Sequence, residues 1–510
     1  MMNLPLFLPG LVAALIFWSA EAGQAAGKPP NVVFFVVDDM NDWVGPLGHD
    51  QAITPNMDRL AESGVCFTNA HTAGVFCAPS RTALFTGRHA SRTGCYTTQV
   101  YSHSLPGLTP LQVVLQRGGY ATYGGGKLFH HPAGFVDLRG WDEFFVRDPS
   151  QKTRGWPLDS WTTTMEILPK PYPHSIFNQD REPADGFFLE WGPLKNGNEG
   201  KMADTIRTEW ACGLLGRKHE KPLFLAVGLY TPHFPNYVPG KYFDLYDPAK
   251  IKPPPYKADD LDDLPPAVRK AKTARAAHHK RLVALDAVED AIHGYLASIS
   301  YADAMLGRVL DAIESGPNAD NTIVILWSDH GYHHGQKDDW GKHTLWERTS
   351  NVPFIFAGPG IARGAKVDAT VSLIDLFPTL VQLTGVKDDQ DRDGVSLVPA
   401  LNDPGSARDR NVLLPGMRPG EYAIINREWR YIRYADGGEE LYQVREDPNE
   451  WHNLAGTPEH SVVKQRMRKA APERFAPPLP EQNRLRLVID GETFRWEPKN
   501  KKTSKGDGGA

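Results

Sequence analysis

Apolar and polar positions along the chain fall into two alternating patterns. Residues 31–37 are almost wholly apolar and rich in valine, and the run ends abruptly at Asp38-Asp39. Such a run predicts a first strand buried on both faces, with two acids at its carboxyl end. Thr54-Pro55 then reads as a helix N-cap followed by proline at the first helical position. Met57, Leu60 and Ala61 recur at helical spacing up to a stop at Gly64. A second helix is expected from Pro79 to about Gly87, and strands over residues 121–124, 223–229, 322–327 and 353–357. Residues 292–313 carry the clearest amphipathic stripe, with Leu296, Ile299, Leu306, Val309 and Leu310 on one helical face. This alternation, without any fixed-period repeat, predicts an α/β fold with a mostly parallel central sheet flanked by helices. Past Leu401 the apolar runs shorten (422–426, 429–434, 440–442), the pattern of a small antiparallel sheet domain.

Two stretches break the rhythm. Residues 168–201, rich in proline, glycine and charge, and residues 250–280, with Pro253-Pro254-Pro255, read as surface insertions of the kind that shape pockets. The boundaries that follow are a large domain over 27–405, a small C-terminal α+β domain over 406–495 and a disordered tail over 496–510. At the other end, residues 4–18 are almost wholly apolar and precede Ala20-Glu21-Ala22, a small-x-small cleavage pattern. The run is short for a membrane span, so residues 1–22 read as a secretory signal, although no basic segment opens them. The expectation is a secreted or periplasmic protein with no membrane span after cleavage.

Composition narrows the partners. With 41% hydrophobic and 23% charged residues the chain is ordinary globular protein, not disordered, collagen-like or multi-span. Lys and Arg number 56 against 61 Asp and Glu, and a net charge of −5 argues against nucleic acid as a partner. Any anion site must therefore be local. Four cysteines (Cys66, Cys77, Cys95 and Cys212) are too few for a disulfide scaffold and allow at most one bridge beside a cysteine with another use.

The most informative segment is Cys77-Ala78-Pro79-Ser80-Arg81, followed by Thr86-Gly87-Arg88. A helix opening here offers free backbone N–H groups and a positive dipole end, and Arg81 adds a permanent planar donor, so the site suits an anion. Cys-x-Pro-Ser-Arg with a downstream Thr-Gly-Arg resembles the signature of the formylglycine-dependent sulfatases. The resemblance implies an alkaline-phosphatase-like large domain and places Cys77 where that family carries formylglycine, made by a separate maturation enzyme. Its hydrate is the nucleophile. A thiol attacking sulfur has no internal exit, whereas a geminal diol keeps a second hydroxyl whose deprotonation expels sulfate.

Other segments match the same family. Asp38-Asp39 and Asp329-His330 each end a strand-like run, where open α/β sheets place ligands. Oxygen ligands favour Ca²⁺ or Mg²⁺, and the resemblance implies one Ca²⁺ held by Asp38, Asp39, Asp329, His330 and the modified Cys77. His330 stands where many members have Asn, and the iduronate 2-sulfatase branch shares the histidine. Gly126-Lys127-Leu128-Phe129-His130 lacks the spacing of a phosphate loop and resembles the family's Gly-Lys-x-x-His element. There Lys127 would hold the sulfate and His130 assist the hydrate. Pro232-His233-Phe234-Pro235 implies His233 as the general acid for the leaving alcohol. Trp340-Gly341-Lys342-His343 implies Lys342 as a sulfate contact. His343 reads as structural, and His333 and His334 as pocket lining in a glycine-rich loop. The segments 140–145, 295–303, 440–442 and 447–450 extend the resemblance over nearly the whole mature chain.

The expected activity is hydrolysis of the sulfate esters of a sulfated oligosaccharide or polysaccharide, with a uronate 2-O-sulfate favoured if Lys342 also meets a carboxylate. One rival is a phosphate or phosphonate monoester hydrolase of the same superfamily, which would be expected to gather more positive charge or a second metal. The other is a glycan-binding protein that has lost catalysis, against which Cys77, Pro79, Arg81, Lys127, His130 and His233 stand together.

Overall fold

The computed structural model describes residues 28–130, 136–145, 174–175, 189–481, 485–490 and 493–498. The first apolar run forms strand Asn31–Asp38, buried at every residue, inside an eight-stranded sheet. In spatial order the strands are Ala365–Val367, Gly64–Phe67, Phe354–Ala357, Thr322–Ser328, Asn31–Asp38, Leu223–Pro232, Ala121–Gly126 and Glu143–Phe145. Phe354–Ala357 alone runs antiparallel to its neighbours, so the sheet is mostly parallel. The central strand aligns Val33 with Val324 on one side and with Leu225 on the other.

Successive side chains of a strand point to opposite faces, so one strand feeds two cores. Val33, Phe35 and Val37 join the core covered by helices Ala203–Leu215 and Val288–Glu314. Val32, Phe34 and Val36 join the core built with helices Cys77–Thr86 and Leu376–Thr384. The result is an α/β sandwich of the alkaline-phosphatase-like kind. A second, antiparallel sheet follows from Val412–Pro415, Tyr422–Ile425, Trp429–Arg433 and Glu439–Gln443. One of its faces carries helix Ser461–Lys469 through Met467. The other packs Val412, Leu414 and Ile432 on Val75, Phe76, Ala78 and Trp346, beside Cys77 itself.

Several expectations are corrected. The signature helix begins at Cys77, two residues before Pro79, because proline is tolerated throughout a first turn whose N–H groups have no intrahelical partner. It ends as expected on Gly87, at φ 63°. Thr54 does not cap its helix, since its hydroxyl accepts the Gly45 N–H; Asp303, from the long helix, accepts the N–H groups of Asn56 and Met57 instead. Gly64 opens a strand rather than merely stopping a helix, and a Cβ there would lie 1.9 Å from the Phe356 carbonyl. Residues 250–280 are not plain surface loop: they include helix Pro266–Arg275 and the start of Ala277–Ala284, and Lys272 is buried against Asp339. Of the earlier insertion, strand Glu190–Leu194 pairs with Asn236–Pro239. All four cysteines are free thiols.

The expected signal segment, most of residues 168–188 and the tail from 499 lie outside the described residues. Among the described residues no helix is long and apolar enough to cross a membrane.

Candidate active site

Four neighbouring parallel strands deliver chemistry at their carboxyl ends. Asp38 ends the central strand and Asp39 follows at φ 62°; Asp329 and His330 follow Thr322–Ser328. Lys127 follows Ala121–Gly126, and His233 follows Leu223–Pro232. The polypeptide passes very close to itself here, because a Cβ on Gly126 would meet the Gly228 carbonyl at 1.9 Å. Glycine is what allows the Lys127 N–H to reach that carbonyl at 2.9 Å. Helix Cys77–Thr86 aims its N-terminus at the same point, where a ligand is expected at a topological switch of the sheet.

Cys77 is the centre of the constellation. Its Sγ lies 3.2 Å from His330 Nε2, 3.4 Å from Lys342 Nζ, 3.5 Å from Asp38 Oδ1 and 3.6 Å from Lys127 Nζ. Lys127 pairs with Asp38, and Lys342 Nζ donates to Asp39 Oδ1 at 2.6 Å. Arg81 is fully buried: Nε donates to Asp329 Oδ2 at 2.7 Å, Nη2 to Asp38 Oδ1 at 3.1 Å and Nη1 to the Lys127 carbonyl. It therefore braces the carboxylates. His233 Nε2 stands 3.7 Å from Asp39 Oδ2, with Nδ1 donating to the Phe234 carbonyl. His130 lies beside Phe76 with ring centroids 6.0 Å apart.

The two carboxylates of the donor set suit a hard dication, whereas the His330 nitrogen and the unmodified Cys77 sulfur are softer donors. Asp38, Asp39, Cys77 and His330 each bring one ligand atom within 4.8 Å of the others. Asp39 Oδ2 is buried and accepts no hydrogen bond from the described residues. His330 Nδ1 donates to the Gly331 carbonyl at 2.9 Å, which turns Nε2 toward the cluster. Asp329 sits just behind this group, its Oδ2 3.5 Å from His330 Nε2 and its Oδ1 accepting the N–H groups of Asp39 and His330.

Electrostatics follow from burial and from the mixed charges. Burial raises the Asp39 carboxyl, and raises Asp329 to about 6. For Asp38 burial is outweighed by Lys127, His233, Arg81 and Lys342, which hold it well below the ordinary range. Burial pushes the Cys77 thiol up, but Lys127, Lys342 and His330 bring it down to about 7. Burial disfavours a proton on His330, yet Asp329 and the Cys77 sulfur raise it to about 9; the same negative surroundings suit a dication at that atom. His130 and His233 are held well below the ordinary range by burial and the neighbouring lysines, so both rest neutral.

Comparison with known proteins agrees with this geometry. The sulfatase family profile matches residues 30–386. This chain belongs to the sulfatase family. A second profile, for the C-terminal part of N-sulphoglucosamine sulphohydrolase, matches residues 334–474. A sulfatase of Formosa agariphila is 35% identical over 84% of this chain and 83% of its own length. Iduronate 2-sulfatase of Homo sapiens is 27% identical over 70% of this chain and 69% of its own. The crystal structure of a phosphonate monoester hydrolase of Agrobacterium radiobacter superposes with a TM-score of 0.67 at 20% identity, covering 86% of this chain and 94% of that one.

The sulfatase site also depends on residues to which the motifs gave no role. Buried Asp204 accepts the N–H groups of Tyr230 and Thr231 and the Thr231 hydroxyl, anchoring the segment that presents His233. Tyr230 in turn lies under Lys127, with Nζ 4.2 Å from the ring centroid. Thr72 and Ser80 hydroxyls donate to the Asp329 carbonyl at 2.5 and 2.6 Å, and the Tyr295 hydroxyl donates to the Asp39 carbonyl at 2.7 Å. Tyr295 opens one of the segments that resemble the family, which gave it no role, and nothing local marks Asp204. His333 and His334 form a two-residue strand against Trp340-Gly341, and His334 lines a cavity with His279 and Asp338, as expected of pocket lining. His333 bonds Thr344, while His334 lies between Trp43 and Tyr295 at 4.6 and 4.0 Å, so both are neutral core histidines.

Proposed function

We propose that this sulfatase hydrolyses the sulfate esters of a sulfated carbohydrate, with formylglycine at position 77 and one Ca²⁺ held by Asp38, Asp39, Asp329, His330 and the modified residue 77. The observation that carries the reading is the ring of Lys127, Lys342, His330 and Asp38 around one sulfur, all within 3.6 Å. In this reading the Cys77 thiol stands in for the formylglycine hydroxyls. With Ca²⁺ bound and Cys77 matured, the centre gains a polarising dication and a geminal diol nucleophile.

The chain's own residues supply the rest. Lys127 and Lys342 flank the nucleophile from two sides and neutralise the sulfate oxygens. Arg81 keeps Asp38 and Asp329 ionised and in place. His130 takes the proton that the hydrate loses when sulfate leaves. His233 presents Nε2 to the centre, and the negative ester beside it offsets the two lysines, so that it can carry the proton given to the leaving alkoxide. A uronate 2-O-sulfate is the favoured ester, in which Lys342 would meet a ring carboxylate as well as the sulfate, and the likeness to iduronate 2-sulfatase supports that choice. One metal-capable cluster among the described residues supports sulfate over phosphoryl chemistry. The apolar residues 4–18 and the Ala20-Glu21-Ala22 pattern support export.

The test is ion-chromatographic release of sulfate by matured, calcium-loaded protein from paired 2-O-sulfated uronate and neutral-sugar oligosaccharides, with Cys77→Ala as blank. Uronate-selective release that the substitution abolishes is expected. Equal turnover of both sugars removes the uronate assignment. Turnover of phosphonate esters alone, with formylglycine present by mass spectrometry, removes the sulfatase activity.

A further inference from the structure

A cavity of about 350 Å³ opens beside the catalytic cluster, between the segment that follows Lys342 and two turns of the C-terminal sheet. Its lining reaches residues that adjoin the site in the chain. His343, next in chain to Lys342, lines it, and the His343 N–H donates to the Val75 carbonyl on the same wall at 2.9 Å. The His343 ring lies 4.9 Å from Phe76, the residue before Cys77. From there the cavity extends to Arg418 and Asp436, so one end touches the nucleophile's own segment and the other belongs to the C-terminal sheet.

Its floor is apolar, formed by Val75 and Leu345 with Met417 packed against them. Its far wall is charged. Lys272 is already neutralised by Asp339, whereas Arg418 is exposed and makes no ion pair within 4 Å among the described residues. The turn that carries Arg418 is firmly built. The Gly416 N–H donates to the Glu421 carbonyl at 2.8 Å and the Glu421 N–H to the Arg418 carbonyl at 3.1 Å. The Glu421 carboxylate closes back on the Met417 N–H at 3.1 Å, in space that a Cβ on Gly416 would fill, 2.5 Å from Glu421 Cγ. Asp436 is fixed likewise by accepting the Gly438 N–H at 2.9 Å.

An apolar floor suits the C–H face of a sugar ring, a carboxylate suits its hydroxyls, and a guanidinium carried on a fixed turn suits a planar or tetrahedral oxyanion. We infer that this cavity holds the sugar residue adjoining the sulfated one, and that Arg418 selects an anionic substituent, carboxylate or second sulfate, on that neighbour. The inference rests on the sugar-sulfate reading and adds to it. The catalytic cluster holds the ester, and a turn of the other sheet reads the next ring.

Binding to calcium-loaded Cys77→Ala protein, measured by titration calorimetry, tests this without turnover. The probes are three sulfated disaccharides whose neighbouring residue carries a carboxylate, a sulfate or no charge. Arg418→Ala is expected to lower the preference for the anionic over the neutral disaccharides by about tenfold, the scale of one charged hydrogen-bonded pair, and Arg418→Lys to restore part of it. Whichever anionic probe loses more identifies the anion. An unchanged preference overturns the inference, and so does failure of all three disaccharides to bind. Sulfate release from the same probes by matured parent protein reports separately on the underlying reading. Release that is indifferent to Arg418 removes the subsite alone, and Arg418-dependent binding without release removes the activity alone.

Discussion

Among the described residues of this sulfatase, two clusters of buried charge differ in what their charges face. Beneath the C-terminal sheet, fully buried Arg430 donates to the Leu345 carbonyl at 2.8 Å and pairs with Glu347 and, at 2.7 Å, with Glu450. Glu440 accepts from Trp346, Tyr434 and Tyr442 at 2.7 to 2.8 Å. Lys337 pairs with Asp260 at 2.5 Å. At the catalytic cluster two lysines flank a cysteine sulfur, with His330 and Asp38 beside it. Buried charge is costly unless paired and hydrogen-bonded. The first cluster, its carboxylates held by Arg430 and Lys337, welds the second sheet to the loop behind Lys342, and the second, with two lysines, a histidine and an aspartate around one sulfur, is arranged to receive a ligand.

Five experiments test that contrast. The largest effect is expected from Cys77→Ala, which should lower sulfate release by about 10³-fold or more while the thermal midpoint moves little; a variant that keeps a tenth of parental turnover breaks the assignment. Arg430→Ala leaves Glu347 and Glu450 buried without their partner, and urea unfolding should show a loss of about 3–5 kcal/mol. A loss below about 1 kcal/mol would mean that the weld is not structural. Asp39→Asn keeps a side chain that tolerates positive φ but removes one negative ligand, so calorimetric calcium affinity should fall by about 100-fold. Unaltered calcium affinity places the metal elsewhere.

The fourth effect is a pH dependence. Burial, with Glu347 adding to it, raises Glu450 to about 7 from an ordinary 4.5. The folded protein then binds the extra proton between those values, so this group's stabilisation is complete below pH 4.5 and is lost as pH rises through 7. Glu347 moves the opposite way, to about 2 under Arg430, and acts only at lower pH. Glu450→Gln should flatten the decline in thermal midpoint between pH 5 and about 7.5, and an unaltered slope refutes the assignment. The smallest effect is the baseline: Arg59 pairs with exposed Asp311 at 2.8 Å, and Asp311→Ala should change unfolding free energy by no more than about 0.5 kcal/mol.

The parts legible in the sequence are those in which local pattern and tertiary role coincide. The run at 31–37 announced a doubly buried strand, the stripe at 292–313 a core helix now seen as Val288–Glu314, and the short runs past 401 an antiparallel sheet. Strand Gly64–Phe67 escaped because four residues carry too little period, and its glycine reports a neighbouring backbone rather than a turn. The start of the signature helix was displaced by two residues because proline occupies any position of a first turn at little cost. The strand His333–His334 was not legible because two residues carry no pattern at all.

By itself the sequence determined which residue types end each strand, and therefore which acids, lysines and histidines a parallel sheet must gather along one edge. Tertiary structure alone decided how they are satisfied. Asp204 reaches the His233 segment from a helix preceding that strand, Arg81 crosses between Asp38 and Asp329, and Arg430 joins carboxylates from either side of it in the chain. Periodicity reports the side on which a residue is buried. Whether a buried charge finds its partner, or is left waiting for a ligand, depends on distances between segments remote in the chain, and those are set by packing.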